Sequence, residues 1–170
     1  SDPPQSLLNS RRMYKKLLDA FREMGDDANS GAGLVDDLDL TVTTTDVHGS
    51  LVKLRLLDNR VLERRHRNVF RFRYRHDQRD STDTWEQNPF SKRFASLHAF
   101  AARCTSAFPF AFEPMTLDQA SEVLGVFPRS TEEPLTADLL AKALGEDSYD
   151  VDSREINAAD FGTRAFTDGG

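Results

Sequence analysis

The sequence predicts a layered α/β domain, and three observations point to it. Residues 7–24 repeat apolar side chains at helical spacing, segments within residues 38–75 alternate apolar and polar side chains, and further helical segments follow. The chain has 170 residues, 38% of them hydrophobic, which is enough for one domain with a sizeable core. Helices intermixed with strands are typical of an α/β architecture. We therefore expect residues 1–170 to belong to one domain.

The N-terminal half is expected to form one helix and three strands. The helix covers about residues 7–24, ends at Gly25, and carries on one face Tyr14, Leu17, Leu18, Phe21 and Met24. After a Gly-rich loop, residues 38–43 alternate like a strand, and a turn at residues 48–50 makes residues 51–57 its hairpin partner. The third strand covers residues 69–75.

The C-terminal half is expected to be mainly helical. Residues 76–93 are polar and predict a surface loop. Helices are predicted at residues 94–106, at residues 116–124 with Thr116 as the cap, and at residues 136–144 before Gly145. A last strand ends at Asp168.

Charge is unevenly spread along the chain. Residues 60–79 hold eight Arg against two acidic residues, a local balance of +6 in a chain of net charge −6, so the remainder carries −12. Arginine clusters can bind nucleic acid. Here, however, aromatic and basic residues alternate strictly: Phe70, Arg71, Phe72, Arg73, Tyr74 and Arg75. This period predicts a strand with aromatic side chains inward and guanidinium groups toward solvent or the acidic remainder, so no nucleic-acid partner is expected.

Most catalytic and metal-binding fingerprints are missing from the sequence. It contains no G-x-S-x-G elbow, P-loop, G-x-G-x-x-G or H-E-x-x-H motif, and residues 31–33 precede a strand where a dinucleotide turn would follow one. The lone Cys104 lies on the inward stripe of its helix and is expected to be a buried hydrophobe. The histidines show no zinc-ligand spacing beside it: His48, His66, His76 and His98. No metal and no cofactor are expected.

The Asp-Gly-Gly at residues 168–170 is the candidate catalytic motif. Asp168 ends a predicted strand, and Gly169 and Gly170 allow the backbone a positive φ. Open α/β sheets place their sites at strand ends. Taken alone, however, Asp-Gly-Gly is typical of an ordinary turn.

Three segments together resemble patatin-like phospholipases. Residues 40–46 (LTVTTTD) resemble a family strand that ends in a Thr/Asp turn, and residues 101–112 (AARCTSAFPFAF) are similar to the A-x-R-A-T-S-x-F-P-x-x-F signature. Residues 166–170 (FTDGG) resemble the box that carries the family's catalytic Asp. The middle segment is the most specific of the three, although Cys104 and Phe110 stand where the family more often has small residues.

The resemblance implies a serine lipid acyl hydrolase that works through a Ser–Asp dyad without a cofactor. Asp168 matches the residue that takes the serine proton, with Gly169 and Gly170 as backbone support. In the family, the nucleophile elbow and the Gly-rich oxyanion loop come earlier in the sequence than these three motifs. The chain is thus expected to be the C-terminal portion of a three-layer α/β/α patatin-like domain, inactive by itself and part of an active parent enzyme.

The other motif residues have structural roles in this interpretation. Asp46 is expected to cap a turn, and Thr105 and Ser106 to hold the turn after their helix. Arg103 is expected to bind either an internal carboxylate or a carbonyl near that turn.

The expected partner is a lipid ester, with transient contact to a membrane surface. No apolar run is long enough to cross a bilayer and no signal peptide is visible, which favours a cytoplasmic or peripheral membrane location over secretion. The alternative is a non-catalytic lipid- or protein-binding module whose basic strand face, formed by Arg71, Arg73 and Arg75, contacts anionic headgroups.

Overall fold

The computed structural model describes residues 8–27, 35–55, 60–78, 81–107, 111–144 and 162–168, with backbone only at residues 25–27, 50–55 and 60. Its elements in chain order are α1 (Ser10–Asp27), β1 (Asp37–Arg55), β2 (Arg60–Arg75), α2 (Thr84–Gln87), α3 (Ala95–Thr105), β3 (Met115–Thr116), α4 (Leu117–Val126), α5 (Ala137–Leu144) and β4 (Ala165–Asp168).

The four described strands form one sheet in the order β2-β1-β4-β3, and every neighbouring pair is antiparallel. Side chains from one face of this sheet join the described helices in a single hydrophobic cluster. The mixture of helices and strands confirms the α/β class. The antiparallel pairing differs from the parallel sheet of doubly wound domains, in which helices cover both faces.

The strand prediction for residues 38–75 was partly wrong. β1 runs without reversal to Arg55 and pairs with β2, so the three predicted strands are two long ones, and the chain reverses between Arg55 and Arg60. A turn was expected at residues 48–50, but β1 instead has a bulge of four residues, 46–49, opposite His66. Gly49 takes a positive φ of 70° within this bulge, and the strand continues beyond it.

The aromatic side chains of β2 anchor the core, as predicted. Phe70 and Phe72 are fully buried, and the Phe70 ring lies 6.2 Å from that of Phe100 in an edge-to-face arrangement. On the other face, Arg73 and Arg75 both pair with Asp39 of β1, at 3.7 Å and 2.7 Å. The guanidinium groups therefore face solvent and acidic side chains, which confirms the predicted alternation of inward aromatic and outward basic side chains.

The first helix is joined to the rest of the fold by polar contacts as well as apolar ones. The Asn9 side chain accepts a hydrogen bond from the Arg12 amide at 2.8 Å, which explains why α1 begins at Ser10. Near the other end, Arg22 and Glu132 form a buried pair with N–O distances of 2.5 Å and 2.8 Å. The helix continues past Gly25 to Asp27, so its predicted end was three residues early.

Residues 76–93 contain more structure than the predicted surface loop. α2 lies within them, Pro89 is buried, and the rings of Trp85 and Phe90 pack 5.8 Å and 6.1 Å from that of Phe72. A few apolar residues in a polar segment supply this packing, and composition alone did not reveal it.

His98 lies inside this aromatic group. Its ring stacks on that of Phe72 at 4.2 Å, and Nε2 donates to the Pro89 carbonyl oxygen at 2.9 Å, which places the proton of the neutral ring on Nε2. Burial lowers the pKa of His98 because the charged form loses its hydration.

The three later helices lie where the sequence predicts them, and Thr116 caps α4 as expected. α3 is buried over nine of its eleven residues, and α4 starts with a capping box between Thr116 and Gln119. The Thr136 hydroxyl accepts the Leu139 amide at 3.2 Å at the start of α5. Gly125 lies inside α4 rather than after it, and Gly145 lies outside the described residues.

Truncating Phe70 should remove a large part of the stability. Phe70→Ala leaves a cavity in the aromatic core and is expected to lower the free energy of unfolding by about 3–5 kcal/mol in urea titrations followed by circular dichroism. Leu62→Ala on the same strand, at a side chain 60% exposed, should change it by less than about 0.5 kcal/mol. Equal losses in the two variants would contradict the described core.

The buried histidine should make stability pH-dependent. The lowered folded-state pKa means that the unfolded chain binds the proton first, so stability is lost as pH falls below about 6.5. His98→Gln keeps a donor for the Pro89 carbonyl and does not titrate. The stability of the wild type relative to this variant should therefore fall between pH 7 and pH 5, and a difference independent of pH would show that His98 protonates equally in both states.

Candidate functional site

β4 places Asp168 at the end of a short central strand, as the sequence predicted. β4 pairs with β1 through Thr44–Asp168, Thr45–Thr167 and Asp46–Phe166. On its other side it pairs with β3 through Met115–Phe166. Asp168 is half-buried, while Gly169 and Gly170 lie outside the described residues.

The turn after α3 reaches the same strand end. The carbonyl oxygen of Ala107 accepts a hydrogen bond from the Thr167 hydroxyl at 2.7 Å and a long one from the Asp168 amide at 3.4 Å. Ser106 donates its hydroxyl to the Arg103 carbonyl at 3.1 Å, which confirms its role in holding the turn. The turn thus fixes the backbone on which the Asp168 carboxylate is carried.

A row of polar residues crosses three strands beside Asp168. Thr44 pairs with Asp168 on one side and with Asn68 of β2 on the other, so their side chains project from the same face of the sheet. Thr44 is fully buried and Asn68 is 2% exposed. Neither Thr44 Oγ1 nor Asn68 Nδ2 has a hydrogen-bond partner.

Sequence reasoning assigned no role to Thr44 or Asn68. The signal was present, because both occupy positions at which the alternation of β1 and β2 predicts an inward, apolar side chain. Thr44 follows Val42 at a spacing of two, and Asn68 precedes Phe70 at the same spacing. A polar residue at such a position is informative because burying it costs free energy.

Asp46 lies at the other end of the β1–β4 pairing and has two roles. Its Oδ1 accepts the His48 amide at 2.9 Å, as expected of a turn-capping carboxylate. Its Oδ2 accepts Arg164 in an ion pair in which the Asp46 side chain is fully buried. No pattern in the sequence indicated this pair, since 118 residues separate its members.

Arg103 binds carbonyl and hydroxyl groups rather than a carboxylate. Its Nη2 donates to the Ser10 hydroxyl at 2.6 Å and to the Glu113 carbonyl at 3.0 Å, and its guanidinium lies 4.5 Å from the centre of the Phe112 ring. The side chain is fully buried, and burial lowers its pKa. Of the two expected partners, the structure shows the carbonyl and not the carboxylate. These hydrogen bonds of Arg103 also join the start of α1 to the segment after α3.

Other residues that the sequence analysis considered and set aside can also be placed in the structure. Cys104 is fully buried, as expected, and burial raises the pKa of its thiol. Across the part of the chain that the structure describes, no three His, Cys, Asp or Glu side chains form a group that could hold a metal ion. Residues 31–33 are outside that part. Among the described helices, none is both long and apolar enough to cross a membrane.

Chemically, the site is a carboxylate at a strand end beside buried polar groups. A half-buried carboxylate with a fixed backbone can accept a proton from a hydroxyl brought within hydrogen-bond reach. Comparison with known proteins found no matching family model, no matching curated protein and no matching solved structure.

The Asp46–Arg164 pair should be essential to this arrangement. Arg164→Met leaves a buried carboxylate without its cation and is expected to lower the free energy of unfolding by about 3–5 kcal/mol. Adding Asp46→Asn should recover part of that loss. Urea titrations at pH 7 measure both effects.

Arg73→Met is the matched control, because it breaks an ion pair that is more than half exposed and should cost less than about 1 kcal/mol. If Arg164→Met and Arg73→Met lost similar free energies of unfolding, that would contradict the view that Asp46 is a buried carboxylate that needs the charge of Arg164.

Proposed function

We propose that the chain is the base-bearing portion of a serine lipid acyl hydrolase of the patatin-like type, with Asp168 as the base of a Ser–Asp dyad. The fold proposed with it is the incomplete three-layer α/β/α domain. A preceding segment of the parent protein would supply the nucleophilic serine and the oxyanion loop.

The observation that carries the proposal is the convergence of three separate motifs on one strand end. Thr44 belongs to the first resembling segment, Ala107 to the second and Asp168 to the third. Thr44 pairs with Asp168 across strands, and the Ala107 carbonyl accepts bonds from residues 167 and 168. Segments about 60 residues apart in sequence are thus brought to the same strand end, as expected if they form one site.

The proposed reaction assigns a simple task to Asp168. Its carboxylate accepts the proton of the serine hydroxyl as the serine oxygen bonds to the ester carbonyl carbon, and it returns that proton to the departing alkoxide. A second round with water releases the fatty acid. Because a carboxylate is a weak base toward a hydroxyl, the geometry must be close. The hydrogen bonds from the Thr167 hydroxyl and the Asp168 amide to the Ala107 carbonyl support such a fixed geometry.

The alternative of a basic lipid-binding face has less support. Arg73 and Arg75 both direct their charge to Asp39, and Arg71 is half-buried. A face that is partly neutralised within its own sheet attracts anionic headgroups less strongly than the arginine count suggests.

Substitution of Asp168 in the parent protein tests the proposal. Asp168→Asn preserves shape and removes the base, so hydrolysis of p-nitrophenyl esters and phospholipids should fall by about 10²–10⁴-fold. Asp39→Asn, on the same sheet but outside the site, should leave the rate within about twofold, and circular dichroism checks that both variants fold.

Unchanged turnover in Asp168→Asn would overturn the assignment of the base. An inactive parent that binds anionic vesicles in a salt-sensitive manner, with binding lost when Arg71, Arg73 and Arg75 become Gln, would favour the alternative.

A further inference from the structure

Two buried side chains in the row of Asp168 each carry a polar atom that has no hydrogen-bond partner. Thr44 lies between Asn68 and Asp168 in one row across β2, β1 and β4. Directly opposed residues of antiparallel strands have Cβ atoms about 4.5–5.5 Å apart, within reach of small side-chain rotations. Thr44 Oγ1 and Asn68 Nδ2 are both buried and without partners.

Buried polar groups without hydrogen bonds lower the stability of the fold, so stability alone does not explain why they are present. A buried hydroxyl without a partner loses its hydrogen bonds to water and gains none, whereas valine has nearly the same shape and no such cost. Along the same face of β1, the preceding inward position is Val42, opposite Phe70. Among the described residues of β1 and β2, the buried polar atoms without partners are therefore confined to the row that contains the proposed base.

The chemistry of the three groups fits a directed chain of hydrogen bonds. The Asn68 amide nitrogen only donates, the Thr44 hydroxyl accepts and donates, and the Asp168 carboxylate only accepts when it is ionised. Hydrogen bonds from Asn68 to Thr44 and from Thr44 to Asp168 would give a partner to both of the unpartnered atoms. They would also hold the carboxylate in one orientation.

We propose that Thr44 is a positioning residue for the Asp168 carboxylate and that Asn68 orients the Thr44 hydroxyl. The inference rests on the proposed function, because it deepens the role of the same strand end. Thr44 acts through Asp168 and does not touch the substrate.

The test separates stability from turnover in the parent protein. Thr44→Val removes the unpartnered hydroxyl with little change of shape, so the urea midpoint should stay the same or rise. In the same variant kcat should fall by about 10–100-fold, because the base is no longer held in its geometry, while KM stays within about twofold. Thr44→Ser restores the hydroxyl and should recover kcat to within about threefold of the wild type.

Thr43→Val is the matched control, since Thr43 is the neighbouring threonine, projects from the opposite face and pairs with Val69. It should leave kcat unchanged. Asn68→Ala should lower kcat by a smaller factor, and adding it to Thr44→Val should cause no further loss, as expected of members of one chain.

Two results would overturn the inference while leaving the proposed function intact. One is an inactive Asp168→Asn together with a fully active Thr44→Val. The other is a Thr44→Val variant whose midpoint and kcat fall together and are not restored by serine, because that pattern belongs to a packing role. An active Asp168→Asn would overturn the proposed function and this inference with it.

Discussion

The pairing of β4 with β1 is the constraint on which the rest of the arrangement depends. Three residue pairs connect strands that are more than 100 residues apart in sequence, and the Asp46–Arg164 ion pair reinforces them in the interior. Phe166, on the same short strand, is fully buried and lies 5.8 Å from the Phe100 ring and 6.4 Å from the Phe70 ring. The core and the candidate site therefore share one strand of four residues, so a change that displaces β4 disturbs packing and the position of Asp168 together.

Local patterns in the sequence predicted local structure, and long-range pairing was beyond them. The alternation around Phe72 and the cap at Thr116 specify their elements from neighbouring residues alone. The partner of Arg164 and the contact of Trp85 with Phe72 depend on how distant segments meet, and no spacing in the sequence encodes that. The place of Asp168 at a strand end could be predicted because the two glycines after it are a local signal, whereas its proposed role came from the resemblance. The turn expected at residues 48–50 was wrong because a glycine is compatible with a bulge as well as with a reversal.

The hydrogen bonding of buried polar groups is not equally complete in all parts of the described fold. The aromatic rings around Phe72 pack against one another, and the first turns of α4 and α5 donate amides to their threonine caps. The side-chain atoms that are buried without a hydrogen bond belong, among the described residues, to Thr44, Asn68 and Arg103. Thr44 and Asn68 lie in the row that ends at Asp168, and Arg103 lies on the helix whose following turn binds β4. Natural proteins commonly accept such local costs where a site requires polar groups, and compensate for them elsewhere in the core.

The bulge at residues 46–49 also divides the hairpin into two parts of different character. From Thr45 to Ser50, β1 advances five residues, while the facing part of β2 covers only two, from Arg67 to Arg65. Because the difference is odd, odd-numbered residues of β1 pair with odd-numbered residues of β2 before the bulge and with even-numbered ones beyond it. Before it, apolar residues oppose apolar ones, as in Val42–Phe70; beyond it, Leu51 opposes Arg64 and Lys53 opposes Leu62. Residues 61–67 are accordingly exposed on both faces of β2. The bulge, which leaves no room for a side chain at Gly49 because a Cβ atom would lie 2.8 Å from the His66 ring, marks the border at which the sheet stops being part of the core and becomes a two-stranded ribbon.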